Sequence, residues 1–252
     1  MSDADWERVI EQAARKNVRN VRFIGGEPTL HPALPRLIGQ ALGEGMQAEV
    51  YTNLVRISDR LWEVLSQPGV SVATSWYSDD PGEHDRITGR PAYHRTLANI
   101  KSAVERGIPV RAGLVRLSSG QRTGPAIEQL RQLGVRRASV DDVRQVGRGV
   151  RDRQPGVREL CGACTGTLAV FSDGGVHPCV FARWLLVGDV RTQALGEILD
   201  GPALAAARRT ITEELSLRRQ GDCIPAACPP NDGDALCIPD HCSPCCDPEN
   251  SG

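Results

Sequence analysis

The sequence predicts an α/β protein: an incomplete, partial (β/α) barrel of parallel strands, followed by a small β-hairpin and helix domain and a cysteine-rich tail. Three observations carry this. Up to about residue 140, helix-period and strand-like stretches alternate five times with short connections, as parallel strands joined by right-handed helical crossovers do. Only 4% of the 252 residues are aromatic, so a core of this size must be Val, Leu, Ile and Ala, which suits buried parallel strands. All nine cysteines lie at or after Cys161, six of them from Cys223 onward.

The elements follow in order. Trp6, Val9, Ile10, Ala13 and Ala14 recur at helical spacing behind a Ser2-Asp3 start signal and predict a first helix. Residues 21–24 read as a strand. Pro32 opens a second helix with the apolar stripe Leu34, Leu37, Ile38, Ala41 and Leu42, stopped by Gly43 and Gly45. Residues 48–52 form the next strand; Ser58 starts a helix carrying Leu61, Trp62 and Leu65; Pro68-Gly69 ends it before a strand over 70–76. Helix 96–106 and strand 110–115 follow, then helix 126–133 and strand 137–140. The run opens on a helix, whereas such a unit ordinarily opens on a strand against which that helix packs.

The basic, glycine-rich stretch 147–156 reads as a linker, giving an organisation of 1–146, 147–222 and 223–252. Leu168 and Val170, the turn Ser172-Asp173-Gly174-Gly175, then Val176 and Val180 predict a β-hairpin; a last helix starts at 195–199 and extends, with breaks, toward Arg219. The tail holds six prolines but only Ile224, Leu236 and Ile238 as large aliphatics, so it cannot build a core. Metal or disulfide must cross-link it, or it stays without fixed structure.

Charge excludes some functions. Lys and Arg total 30 against 31 Asp and Glu, a formal charge of -1, which supplies no global field for nucleic acid or an anionic membrane. Residues 1–8 are acidic where a signal peptide is basic, and no apolar run approaches the ~18 residues of a membrane span. A cytoplasmic location is expected. There, clustered cysteines favour metal over disulfides, and nine cannot all pair within one chain.

Gly25-Gly26-Glu27-Pro28 directly follows a strand, at the carboxyl end where parallel sheets place their sites. The glycines admit a ligand close to the backbone, Pro28 holds Glu27 extended, and the carboxylate repels phosphate but attracts a cation such as an amino group. A simple tight turn is the competing reading. The other strand ends are polar too: Thr52-Asn53 after the second, Ser75 with Asp79 and Asp80 after the third, and Arg111 and Arg116 flanking the fourth. Together they make a rim able to grip a zwitterion bearing hydroxyls. Further on, Cys161-Gly-Ala-Cys164 is a tight C-x-x-C, and nine residues to Gly174 plus four to Cys179 bring a third thiolate across the hairpin. Zinc and an iron-sulfur cluster both fit, and His177 is either a fourth ligand or a surface strand residue.

With those residues assembled, the chain resembles the radical SAM family, in the branch with a SPASM-type auxiliary cluster domain. Gly25-Gly26-Glu27-Pro28 is similar to the family's motif that contacts the methionyl amine of S-adenosylmethionine, and Thr52-Asn53 to the segment after its third strand. Ser75 to Asp80, Glu83-His84-Asp85-Arg86 and Gly89 resemble its fourth-strand loop, and the Cys164, Gly174, Cys179 spacing matches the opening of the SPASM motif. The resemblance implies S-adenosylmethionine contacts at Gly25, Gly26, Glu27, Pro28, Thr52, Asn53, Ser75 and Arg111. It implies auxiliary 4Fe-4S ligands among Cys161, Cys164, Cys179, Cys223, Cys228, Cys237, Cys242, Cys245 and Cys246, with zinc as the alternative metal. The chemistry implied is reductive cleavage of S-adenosylmethionine to a 5'-deoxyadenosyl radical that takes hydrogen from a peptide or peptide-like substrate, with a reductant protein as partner.

Two departures stand against it. No C-x-x-x-C-x-x-C triplet, the family's catalytic cluster motif, occurs in the sequence, and the tail cysteines do not follow the usual C-x2-C-x5-C-x3-C order. An N-terminal truncation that removes both the first strand and the triplet is the expectation, with residues 21–24 left as an exposed edge and part of the first helix uncovered. A non-catalytic iron-sulfur or zinc protein derived from the family, serving electron transfer or partner binding, is the second reading.

Overall fold

The computed structural model describes residues 1–150, 156–160 and 165–219; the side chains of Arg148 and of residues 217–219 are not described. The chain forms two compact units: Asn17–Val143, and Met1–Lys16 together with the described residues from Arg144 onward.

The Asn17–Val143 unit is a five-stranded, all-parallel sheet in the order β1-β2-β3-β4-β5, with β1 Asn20–Phe23, β2 Gln47–Tyr51, β3 Val70–Ser75, β4 Val110–Arg116 and β5 Arg137–Asp142. Between them run α2 Leu34–Gly43, α3 Asp59–Leu65, α4 Pro81–Thr88, α5 Tyr93–Glu105 and α6 Thr123–Gln132. Parallel neighbours need a crossover, and the helical stripes supply it. Leu34 and Ile38 of α2, Leu61, Trp62 and Leu65 of α3, Ile100 and Ala103 of α5, and Ala126 and Leu130 of α6 join Ala48, Val50, Val72, Ala112 and Leu114 of the strands in one buried cluster. Strand side chains alternate between faces, so Arg22, Glu49, Tyr51, Ala73 and Arg111 lie on the face those helices do not cover.

One helix escaped the periodicity reading. α4 has no apolar stripe, and His84 is its only fully buried residue. It stands on its ends: the Asp80 carboxylate accepts the Glu83 amide at 2.7 Å, Pro81 opens the first turn, and Gly89 closes it in the left-handed region at φ 71°.

The second unit opens with α1, Asp3–Arg15, started by a capping box in which Ser2 Oγ accepts the Asp5 amide and Asp5 Oδ2 accepts the Ser2 amide. Its partner is α7, Leu195–Leu199: the Leu195 amide donates to Gln12 Oε1 at 2.6 Å, and Lys16 pairs with Asp200 at 2.5 Å. The expected hairpin is β6 Ala169–Val170 against β7 Gly175–His177, extended by an antiparallel third strand, β8 Gly188–Asp189. The final helix is broken as expected, α7 ending at Asp200-Gly201 before α8, Pro202–Arg219. Among the described residues no helix is long and apolar enough to cross a membrane.

Candidate functional site

All five strands run the same way, so their carboxyl ends form one rim. β1 runs out into Gly25 and Gly26, β2 into Thr52 and Asn53, and β3 ends at Ser75. Among the described residues, a methyl group built on either glycine would meet no atom beyond its chain neighbours within 4 Å. Open space therefore lies against the backbone there, a cradle that a side chain would fill and a ligand can enter.

Glu27 has extended backbone (φ −155°, ψ 101°), as the following proline requires. Its carboxylate accepts the Thr29 amide at 3.2 Å and the Thr29 hydroxyl at 2.7 Å on Oε1, capping the 3₁₀ turn Pro28–Leu30, while Oε2 accepts the Asn53 amide at 2.9 Å. Glu27 thus fastens the β1 loop to the end of β2. Oε2 keeps acceptor capacity for one more donor.

The β2 end is clamped from several sides. Thr52 is buried and its hydroxyl accepts the Leu54 amide at 3.1 Å, while Asn53 Oδ1 accepts the Val55 amide at 2.9 Å. Between them Leu54 sits in the left-handed region at φ 52°, fully buried, a conformation that costs about 1–3 kcal/mol in a non-glycine residue. It is held by α5: Thr96 Oγ1 donates to the Asn53 carbonyl at 3.0 Å and Asn99 Nδ2 to the Leu54 carbonyl at 2.6 Å. Ser75 is exposed and in register with Gly113, which has open space beside it.

The residues after Ser75 position loops. Asp79 makes a two-pronged ion pair with Arg122 at 2.8 and 2.6 Å, which holds the Asp79 carboxyl below its ordinary range. Asp85 accepts the Ala92 and Tyr93 amides, both at 2.9 Å, and those bonds lower its carboxyl too. His84 is buried against Trp76 and Tyr93, at ring distances of 4.3 and 5.6 Å, and burial pushes its pKa down.

Arg111 is not at the rim. It is the second residue of β4, in register with Ala73, and it reaches across that small residue to β2, donating to Glu49 at 2.6 and 3.2 Å and to the Tyr51 hydroxyl. Sequence reasoning also passed over Gln121, a buried side chain that ties two strand ends. It donates to the Tyr77 and Val115 carbonyls at 3.0 and 3.1 Å and accepts the Leu117 amide at 2.8 Å. Thr96 and Asn99 left a signal, since polar residues among the stripe positions of α5 are out of pattern; Gln121 left none.

In the other unit, Cys179 is buried with Val157, Leu160, Ala182 and Ile211. Leu160 immediately precedes Cys161 in sequence. Cys161, Cys164, Cys223, Cys228, Cys237, Cys242, Cys245 and Cys246 lie outside the described residues. Among the described residues no three His, Cys, Asp or Glu side chains gather as a metal site. Gly174, the glycine of the Cys164-to-Cys179 spacing, has φ 89°, and a methyl there would come within 2.5 Å of Arg191 Nε and 2.6 Å of Asp189 Oδ1. Only glycine fits both the turn and the Asp189–Arg191 pair, which lowers the Asp189 carboxyl to about 2. His177 is buried rather than on the surface, with Nδ1 3.0 Å from the Leu185 carbonyl.

Comparison with known proteins places these features. Residues 1–119 match the family model of the Radical SAM superfamily, and residues 153–229 that of SPASM, an iron-sulfur cluster-binding domain. A PqqA peptide cyclase of Xanthomonas oryzae pv. oryzae is 30% identical over 159 residues, covering 61% of this chain and 42% of the relative. One from Xanthomonas campestris pv. campestris is 28% identical over 156 residues, with the same coverage. The chain thus spans less than half the length of these curated relatives. Among solved structures, Streptococcus suis SuiB superposes with a TM-score of 0.65 at 18% identity, over 82% of this chain and 61% of SuiB. The peptide-bound structure of anSMEcpe gives 0.63 at 14% identity, over 84% of this chain and 75% of that one. At such identities the two structures establish the fold.

Proposed function

Because the chain belongs to the radical SAM superfamily, in its SPASM branch, we propose that it uses S-adenosylmethionine and iron-sulfur clusters to modify a peptide or peptide-like substrate by radical chemistry. One observation carries the reading: Gly25, Gly26, Glu27, Thr52, Asn53 and Ser75, separated by up to 50 positions in sequence, occupy adjacent strand ends beside open space. Gly25 and Gly26 admit the methionyl part of the cofactor, Glu27 holds the loop and offers its remaining acceptor site to the amine, and Asn53 and Ser75 supply polar contacts. Bound there, S-adenosylmethionine supplies a 5'-deoxyadenosyl radical on one-electron reduction. Cys161, Cys164, Cys179 and a subset of the tail cysteines hold auxiliary 4Fe-4S clusters, and a reductant protein delivers the electron. SuiB has been solved with S-adenosylmethionine and with its precursor peptide SuiA, which supports a peptide as the substrate class.

A second reading is a non-catalytic iron-sulfur or zinc protein for electron transfer or partner binding, favoured by the lack of a C-x-x-x-C-x-x-C triplet in this sequence. Anaerobic reconstitution with iron and sulfide, then chemical reduction with S-adenosylmethionine present, separates the two. The first reading expects 5'-deoxyadenosine and methionine to accumulate from a chain extended at its front by a strand bearing a C-x-x-x-C-x-x-C triplet. Cluster absorbance with the cofactor unconsumed selects the second, and a colourless zinc protein removes the cluster assignment from both.

A further inference from the structure

The sheet face opposite the helices carries a charge imbalance. Glu49, in register with Arg22, lies between two arginines: Arg22 Nε at 3.2 Å and Arg111 Nε at 2.6 Å. The Arg111 guanidinium also lies over the Tyr51 ring, 4.8 Å from its centre, and donates to the Tyr51 hydroxyl. Two guanidiniums share one carboxylate, and the side chains are only 20% (Arg22), 12% (Glu49) and 11% (Arg111) exposed. Arg22 Nη2 is buried without a hydrogen-bond partner among the described residues.

A largely buried excess cation with an unused donor is costly unless an anion completes it. A second donor points the same way. The Tyr51 oxygen accepts from Arg111, so its own proton remains to be given. The network thus combines a net positive charge, a spare guanidinium N–H and a spare phenol O–H, the set that holds a carboxylate. A fifth of the Arg22 side chain is exposed, but Nη2 itself is covered, so a carboxylate reaches this donor only when the side chain swings out on the face the helices do not cover.

Position separates this site from the cofactor rim. Arg22 lies three residues before Gly25, and at roughly 3.3 Å per residue the network is about 10 Å below the rim along the strands. We infer that Arg22, Arg111 and Tyr51, poised around Glu49, bind the carboxylate of an acidic side chain of the peptide substrate. This rests on the peptide-modification reading above and narrows its substrate class to peptides that present Asp or Glu to this face. The other source of the same chemistry is the carboxylate of S-adenosylmethionine itself.

The test titrates the full chain, without S-adenosylmethionine, with the capped peptide acetyl-Ala-Ala-Glu-Ala-Ala-amide and with its Gln counterpart. The Glu peptide should bind at least about tenfold more tightly. Arg22→Met should erase that preference, Arg22→Lys should keep most of it, and neither should lower the melting temperature by more than a few degrees, since Arg111 still pairs with Glu49. Equal binding of the two peptides, or binding of neither, overturns the inference. So does a large loss of stability in Arg22→Met and Arg22→Lys alike, which would make Arg22 a structural ion-pair partner. A parallel titration with S-adenosylmethionine reads the parent proposal by itself: unchanged affinity in Arg22→Met is expected, and loss of affinity there would assign the anion to the cofactor and overturn the inference. A native chain that ignores S-adenosylmethionine yet prefers the Glu peptide counts against the cofactor reading alone.

Discussion

The parallel-sheet unit and the cysteine-bearing unit stand on different physical supports. In the first, twenty buried residues from strands, four helices and the loops joining them merge into one cluster, and the rim loops are held by side chains that cap backbone groups. In the second, strands are two or three residues long, and the cluster around Cys179 contains Val157, Leu160, Ala182 and Ile211 as its other fully buried members. Hydrophobic burial suffices for a core of the first kind; in the second unit Ile10, Val176, Val190, Leu195, Ile198 and Leu204 are also buried, and it is the small cluster beside Cys179 that ordinarily needs a cross-link. The teaching is that the sheet unit should fold and present its rim unaided, while the cysteine unit should acquire its stability with its metal.

The largest effect should come from the metal. Stripping iron with a chelator should abolish hydrogen-exchange protection of the Val176 and His177 amides while leaving those of Val72 and Leu114 protected. Simultaneous loss in both regions would break the contrast. Next, Ile38→Ala, at a site with no exposed surface, should cost the sheet unit about 2–5 kcal/mol in urea denaturation without changing iron content. Iron loss in that variant would show that the two supports are one.

Smaller effects sharpen the picture of the rim. Glu27→Ala leaves the Thr29 and Asn53 amides to water, so it should cost about 0.5–1.5 kcal/mol and weaken S-adenosylmethionine binding roughly tenfold, read by calorimetry. The smallest is a pH effect. The Asp85 carboxyl is lowered chiefly by the Tyr93 amide, so its contribution is fully present above its ordinary value of 3.8 and disappears as pH falls through the lowered value. Asp85→Asn should therefore melt earlier than the native chain at neutral pH, and the gap should close in acid. A gap independent of pH would refute the assignment to charge.

Legibility in the sequence followed the same divide. Strand and helix order in the sheet unit could be read because period-two and period-3.6 patterns record burial, and each element is buried on one side. Element ends shifted by up to three residues, and α4 was missed because it is held by Asp80, Pro81 and Gly89 rather than by an apolar stripe. Which rim residues neighbour one another was also legible, since parallel strands must end together. What Glu27 does was legible only in part: its charge was evident, but its commitment to Thr29 and Asn53 depends on the β2 end approaching within hydrogen-bond distance. Arg111 shows the limit. Its position in β4 could be read, but its reach over Ala73 to Glu49 depends on the size of a residue in another strand. In the cysteine unit, Ser172-Asp173-Gly174-Gly175 marked the turn, at which Gly174 is sterically required, while β8, two residues long, left no periodic trace.

The central claim is that open space beside Gly25 and Gly26 receives S-adenosylmethionine. Gly26→Val tests it most directly, because among the described residues nothing beyond its chain neighbours lies within 4 Å of the added Cβ and no left-handed backbone is involved, so the fold should be unaffected. Calorimetric titration of both chains should show saturable, one-to-one binding to the native protein and none to the variant at an unchanged melting temperature. Equal binding to the two, or a native chain indifferent to S-adenosylmethionine, would contradict the account.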